Sequence, residues 1–231
     1  MKYRHIFFDL DHTLWDFEAN SKATLLQLYA EFDLAGKGIT AFDDFHRVYG
    51  IHNDKLWNHF RKGHIDRETL RWKRMWLTLV DFKIANEPLA LEMSKRYLEL
   101  LPEQSELFPY ATEILEYCKE KGYSLHLITN GFEETQKLKM QHCGIGHYFE
   151  TIVTSEKAMS LKPNKEIFDY AFTTTGADAA TSIMIGDALD IDILGARNAG
   201  MDQVFFNPLK AEHKDSPTYE IHCLSELKTI I

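Results

Sequence analysis

No stretch of this chain is apolar for long enough to cross a bilayer, and its first residues run into a strand pattern without a signal-peptide pattern, so a cytoplasmic location is expected. Cysteine is scarce: Cys118, Cys143 and Cys223 form an odd, scattered trio without CxxC spacing, which excludes a disulfide framework and a cysteine zinc site. The histidines fall in no HExxH or paired spacing, which argues against zinc altogether. Basic residues are outnumbered, 26 against 35 acidic, and the formal net charge of −9 speaks against non-specific binding to nucleic acid or anionic membranes. A small phosphorylated ligand is not excluded, because local groups hold it. Neither a Gly-Lys-Ser/Thr phosphate loop nor a Gly-x-Ser-x-Gly nucleophile elbow is present.

What is present is a chain of 231 residues, 45% apolar, long enough for one large domain or a core with an inserted module. After an opening strand around Ile6 to Phe8, the pattern from about Asp16 to Gln104 is helical throughout. Leu25, Leu28, Tyr29 and Phe32 share a helix face, Asp66 is placed to cap a helix carrying Leu70, Met75, Trp76 and Leu79, and Pro88 suits the first turn of another. The rest alternates helices with short apolar runs: helix Tyr110 to Lys121, strand Ser124 to Ile128, helix Glu133 to Cys143, strand Thr151 to Thr154. Helix Lys165 to Thr175, strand Ser182 to Ile185, helix Asp190 to Asn198 and strand Gln203 to Phe206 follow, and Lys210 to Thr218 reads as a surface loop. That rhythm predicts an α/β protein with a doubly wound parallel sheet. The first strand belongs most economically to the same sheet, giving a core of residues 1–15 and 105–231 with an inserted all-helical cap over 16–104.

In open parallel sheets, functional groups gather at the carboxyl ends of strands. Here those ends carry Asp9, Asp11 and Thr13 after the first strand and Thr129, Asn130 and Gly131 after the second. Lys162 follows a strand and loop later, and Asp187, Asp190 and Asp192 follow Gly186. In an extended segment Asp9 and Asp11 point to one side, and two carboxylates so close resist ionising together, which lets one act as nucleophile or ligand while the other carries a proton. The inventory suits a phosphoryl group with a divalent cation. A carboxylate attacking a phosphate monoester meets repulsion of roughly 4 kcal/mol per charge pair at ~4 Å and an effective dielectric near ~20. Mg²⁺ offsets it, with Asp9 and Asp187 as carboxylate ligands, while Thr129 and the following amides hold phosphoryl oxygens and Lys162 supplies fixed positive charge.

These segments resemble the four ordered motifs of the haloacid dehalogenase (HAD) superfamily: Asp9 to Leu14 the first, Thr129 the second, Lys162 with Pro163 the third, and Gly186-Asp187 with Asp192 the fourth. The resemblance implies a Rossmann-like core, Asp9 as the nucleophile that forms an aspartyl-phosphate, and Asp11 as general acid and then base. It further implies Mg²⁺ held by Asp9, Asp187 and the Asp11 main-chain carbonyl, with Asp192 supporting the metal's waters or Lys162. Dehalogenases of the superfamily lack the second acid, so Asp11 favours a phosphatase, and a cap between the first two motifs matches the helical-cap subclass.

The run from Asp11 to Phe17 is similar to YjjG-type pyrimidine 5′-nucleotidases, which implies a nucleoside 5′-monophosphate as substrate. Phosphoglycolate or sugar-phosphate phosphatase, phosphomutase and a non-catalytic phosphate-binding protein are the competing readings. The expected partner is thus a small phosphorylated metabolite, with neither nucleic acid nor membrane. Trp15 and Phe17 either wall a planar base or pack inside, and helical spacing predicts a core role for Trp57, Trp72 and Trp76. His12 is expected to point away from Asp9 and Asp11 if the strand stays extended, and Asp190 to start a helix.

Overall fold

A computed structural model describes residues 2–231; Met1, included in the expected core range, lies outside the described residues. The described chain divides into two compact units, one holding the chain up to Phe17 together with Ser105–Ile231, the other Glu18–Gln104.

The first unit is built on six parallel strands, β1 (His5–Phe8), β2 (Ser124–Thr129), β3 (Thr151–Thr154), β4 (Ser182–Gly186), β5 (Asp202–Phe206) and β6 (Tyr219–Ile221). Their order is β3-β2-β1-β4-β5-β6. The order reverses on either side of β1, the kind of switch point at which open α/β sheets bind ligands. Register aligns Phe7 with His126 and Met184, and Phe8 with Leu127 and Ile185. Residues of one parity, including Phe7, Ile128, Val153 and Met184, pack with Ile167 and Phe168. Ile6, Phe8, Leu125 and Ile183 of the other parity are equally buried. Burial on both faces is why these strands read as continuous apolar runs without alternation.

The helical unit takes in nearly all of α1 (Phe17–Glu31), then α2 (Phe42–Arg61), α3 (Arg67–Asp81) and α4 (Glu87–Leu100). Asp66 caps α3 by accepting from the Thr69 amide, and Asn86 caps α4 by accepting from Leu89. Its interior holds one buried cation, Arg74, which donates to the Asn53 side chain at 2.9 Å and to Leu70 O at 3.1 Å. Trp57, Trp72 and Trp76 are half-buried, so the core role expected of them is not what they have.

Within the α/β unit the helices are α5 (Ala111–Glu120), α6 (Glu133–His142), the single turn α7 (Ser155–Ala158), α8 (Lys165–Thr175) and α9 (Leu194–Asn198). The residues leaving toward the insertion and those returning run side by side: Asp16 N donates to Glu106 O at 3.1 Å and Phe108 N to Leu14 O at 2.9 Å. Strand β6 was not expected from the sequence, because three residues carry too little periodicity to register. No helix among the described residues is long and apolar enough to cross a membrane.

Candidate active site

Strand β1 ends at Phe8, and the Asp9 amide still donates to Ile185 O of β4 at 2.9 Å. The chain then turns. Leu10 O accepts from the amides of Thr13, Leu14 and Trp15, and His12 sits at φ 64°, in the left-handed region. The extended geometry expected across Asp9 and Asp11 is therefore not kept, and the two carboxylates engage different partners. His12, with its premise removed, lies against Phe17, ring centroids 4.8 Å apart.

Asp9 belongs to a buried cluster. Its Oδ1 is 2.5 Å from Lys162 Nζ, which also lies 2.6 Å from Asp192 Oδ1 and donates to Ile128 O at 2.7 Å. The ammonium thus donates to Asp9 and Ile128, while Asp192 faces it as an ion-pair partner. The Asn130 side chain clamps the lysine's main chain, accepting from Lys162 N at 2.7 Å and donating to Lys162 O at 2.9 Å. Asn130 had been expected among the substrate-binding residues, but its amide group is committed to this clamp.

Asp187 stands one residue beyond β4, and Thr13 Oγ1 donates to it at 3.3 Å. The expected helix from Asp190 instead begins as a π-helical turn over Leu189–Ile193, in which Ala188 O accepts from the amides of Ile191, Asp192 and Ile193. The wide turn brings Asp192 inward, where its Oδ2 accepts from Ala188 N at 3.1 Å. Gly186 makes room: a Cβ there would stand 2.4 Å from Asp192 Cγ. Oxygens of Asp9, Asp187 and Asp192 all lie within 4.8 Å of one another. Three carboxylates against one ammonium leave a double negative charge when all are ionised, and an all-oxygen donor set of that charge fits a hard divalent cation such as Mg²⁺.

The electrostatics follow from that crowding. Burial pushes Asp9 well above the ordinary carboxylate range, with Asp192 and Asp187 adding to it and Lys162 opposing. Burial and then Asp192 raise Asp187 to about 7. Burial works to lower Lys162, but the Asp192 and Asp9 carboxylates outweigh it and hold the ammonium protonated.

Thr129 closes β2. Its Oγ1 accepts from Gly131 N at 3.0 Å and from Gln136 Nε2 at 2.7 Å. A hydroxyl with both lone pairs used in this way has its own proton free for donation, which suits an acceptor such as a phosphoryl oxygen. The Gly131 amide, expected to bind phosphate, is directed at Thr129.

Asp11 lies outside the three-carboxylate cluster, held by α6. Lys139 Nζ is 2.5 Å from Asp11 Oδ1, and Gln136 Nε2 donates to Asp11 Oδ2 at 2.8 Å. Burial alone would raise Asp11, but Lys139 and Gln136 prevail and hold it below its ordinary value. The proton sharing expected between Asp9 and Asp11 is thus not the electrostatics of this site: Asp9 is pushed up by its own cluster and Asp11 down by α6. Trp15 is fully buried with its face 4.0 Å from Lys139 Nζ, so it packs and does not wall a ligand; Phe17 is half-buried, 5.6 Å from the same ammonium.

Gln136 and Lys139 belong to none of the sequence motifs. The signal was there in the weak apolar stripe of α6, Glu-Glu-Thr-Gln-Lys-Leu-Lys-Met, whose buried face must then include polar side chains at i and i+3.

Parallel sheet, helical insertion and strand-end carboxylates define a hydrolase of one class. The chain belongs to the haloacid dehalogenase-like hydrolases, whose family model matches residues 6–206. Among characterised relatives, it is 30% identical to the pyrimidine 5′-nucleotidase PynA of Streptococcus pneumoniae, over 98% of this chain and 94% of that protein. It is likewise 30% identical to the pyrimidine 5′-nucleotidase YjjG of Escherichia coli, over 100% of this chain and 99% of the other. The magnesium-bound crystal structure of the HAD-hydrolase YfnB from Bacillus subtilis superposes with a TM-score of 0.89 at 29% identity, covering 100% of this chain and 99% of that one.

Proposed function

We propose that the protein is a Mg²⁺-dependent phosphomonoesterase that works through an aspartyl-phosphate on Asp9, with pyrimidine nucleoside 5′-monophosphates as its substrates. The observation that carries this reading is the Asp9–Lys162–Asp192 ion cluster with Asp187 beside it, a buried carboxylate nucleophile already supplied with a fixed cation. The substrate assignment is supported by full-length similarity to two pyrimidine 5′-nucleotidases.

Asp9, Asp187 and the Asp11 main-chain carbonyl are the proposed Mg²⁺ ligands, with Asp192 in support; bound there, the cation neutralises the repulsion between carboxylate and phosphate. In the first half-reaction an Asp9 oxygen forms a bond to phosphorus as the P–O ester bond breaks, and Asp11 gives its proton to the departing alkoxide. In the second, Asp11 takes a proton from water, the water oxygen bonds to phosphorus, and Asp9 is released with free phosphate. Lys162 and the Thr129 hydroxyl counter the charge spread over the phosphoryl oxygens. Asp11 as held by α6 is the carboxylate the second half needs. An arriving phosphate dianion opposes the pull of Lys139 and favours the protonated form the first half needs.

The test is phosphate release by the purified protein from pyrimidine and purine 5′-monophosphates, sugar phosphates, short acid phosphates and an aryl phosphate, with Mg²⁺ and with chelator. Chelator-sensitive release, fastest from UMP, CMP or dTMP, is expected. Release fastest from a sugar phosphate would overturn the substrate assignment, transfer to an organic acceptor would indicate a mutase, and silence on every compound would sink the enzyme reading.

A further inference from the structure

The proposed mechanism gives the buried ammonium of Lys139 no contact with the substrate. Its side chain is 3% exposed, its carboxylate partner is Asp11, and Trp15 covers it. Burying a lysine costs several kcal/mol unless it is well paired, and replacing a buried ion pair as a whole by apolar side chains of similar volume is often neutral or stabilising. Packing alone therefore does not account for a lysine here.

Gln136, one turn before it on α6, uses both amide hydrogens, one on Asp11 Oδ2 and one on Thr129 Oγ1. The carboxylate only accepts, so the amide nitrogen must face it. The backbone is shaped for that side chain: a Cβ at Gly131 would stand 2.2 Å from Gln136 Nε2. Each Asp11 oxygen thus receives one N–H from α6, and Gln136 links Asp11 to the Thr129 hydroxyl.

We infer that Gln136 and Lys139 are positioning residues of the phosphoryl chemistry, holding the Asp11 carboxylate in one rotamer and tying it to Thr129, so that the proton-handling group and the phosphate-facing hydroxyl are set as one unit. An aspartate left to itself samples several staggered rotamers. Two donors on two oxygens fix both the direction and the plane of the carboxylate. Proton transfer needs that geometry, and the fixing is done from a helix, a more rigid support than the turn carrying Asp11. The inference rests on the proposed phosphatase reading and deepens it.

The test compares Lys139→Met, Lys139→Arg and Gln136→Ala, each alone and with Asp11→Asn, on an alkyl and an aryl phosphate. Lys139→Met keeps the bulk against Trp15 and removes the charge. It is expected to lower kcat by about 10- to 100-fold, as misplacement of a reacting group does, with KM within about threefold and a lower melting temperature, because Asp11 loses its cation. Gln136→Ala should lower kcat in the same way, and Lys139→Arg should recover most of the Lys139→Met loss. On the Asp11→Asn background Lys139→Met should change the residual rate less than about twofold, because residues acting through one another are non-additive. Full kcat in Lys139→Met, or a loss that multiplies with that of Asp11→Asn, would overturn the inference. A crystal structure of the Lys139→Met, Gln136→Ala double variant separates this from failure of the phosphatase reading. Asp11 should leave its rotamer there whether or not the wild type turns over, and an unmoved Asp11 would refute the positioning role independently.

Discussion

Lys162 Nζ lies 2.5 Å from Asp9 Oδ1, with the lysine side chain 2% exposed and the aspartate 10%. The pair sits among two further carboxylates, those of Asp187 and Asp192.

Asp9→Asn should abolish turnover while leaving the melting temperature unchanged or higher. Burial and the neighbouring Asp192 and Asp187 push Asp9 up, which means that its charge is held at a cost that a neutral amide avoids. Calorimetry beside a phosphate-release assay checks both halves; retained turnover would end the covalent mechanism.

Lys162→Met should act the other way on stability. Removing the one cation from two buried carboxylates and the half-buried Asp187 is expected to cost about 2–4 kcal/mol, softened because Asp9 and Asp187 can take up protons. Turnover should fall by roughly 10²–10³-fold with the loss of fixed charge against the phosphoryl oxygens. Urea unfolding and kcat on an aryl phosphate read the two effects.

Mg²⁺ affinity should rise with pH. Asp187 is raised to about 7 by burial and Asp192, and only its ionised form binds a cation. Between pH 6 and pH 8 the ionised fraction, and with it the apparent affinity, should grow by about tenfold. Isothermal titration at the two pH values, with Asp187→Asn flattening the difference, tests this.

Acid should destabilise the fold through His126. Its ring is buried against Phe7 and 3.1 Å from a nitrogen of His5, and burial with the neighbouring histidine lowers it to about 4. The unfolded value is near ~6.5, so the native state binds fewer protons between the two and stability rises with pH there. The contribution is complete above pH ~6.5 and is lost as pH falls toward ~4, roughly 3 kcal/mol as an upper figure. His126→Leu should flatten that slope in urea midpoints measured from pH 4 to pH 7.

Much of the architecture was legible locally. The strand Thr151–Thr154 and the helix Lys165–Thr175 match their expected bounds to the residue, since apolar runs and helix periodicity are properties of neighbouring positions. Asp9, Thr129 and Asp187 stand out in the sequence because each lies at a strand end of the switch-point sheet, and Lys162 follows β3 after the short helix α7. Three features were not legible: the turn that sends Asp11 away from Asp9, the wide turn that folds Asp192 inward, and the polar face of α6. The two turns are closed by main-chain hydrogen bonds to Leu10 O and Ala188 O, which leave no periodic pattern, and the polar face of α6 answers to Asp11, a partner distant in the chain.

The amino-acid sequence by itself determined the order of elements and the supply of carboxylates, lysine and hydroxyl at the ends of the strands, because both depend on residues within a few positions of one another. Tertiary structure alone decided which charge meets which. Lys162 reaches Asp9 across 153 positions and Lys139 reaches Asp11 across 128. Burial then turns two like carboxylates into opposites, Asp9 raised among anions and Asp11 lowered beside a cation, since desolvated charges respond to whatever the fold places against them.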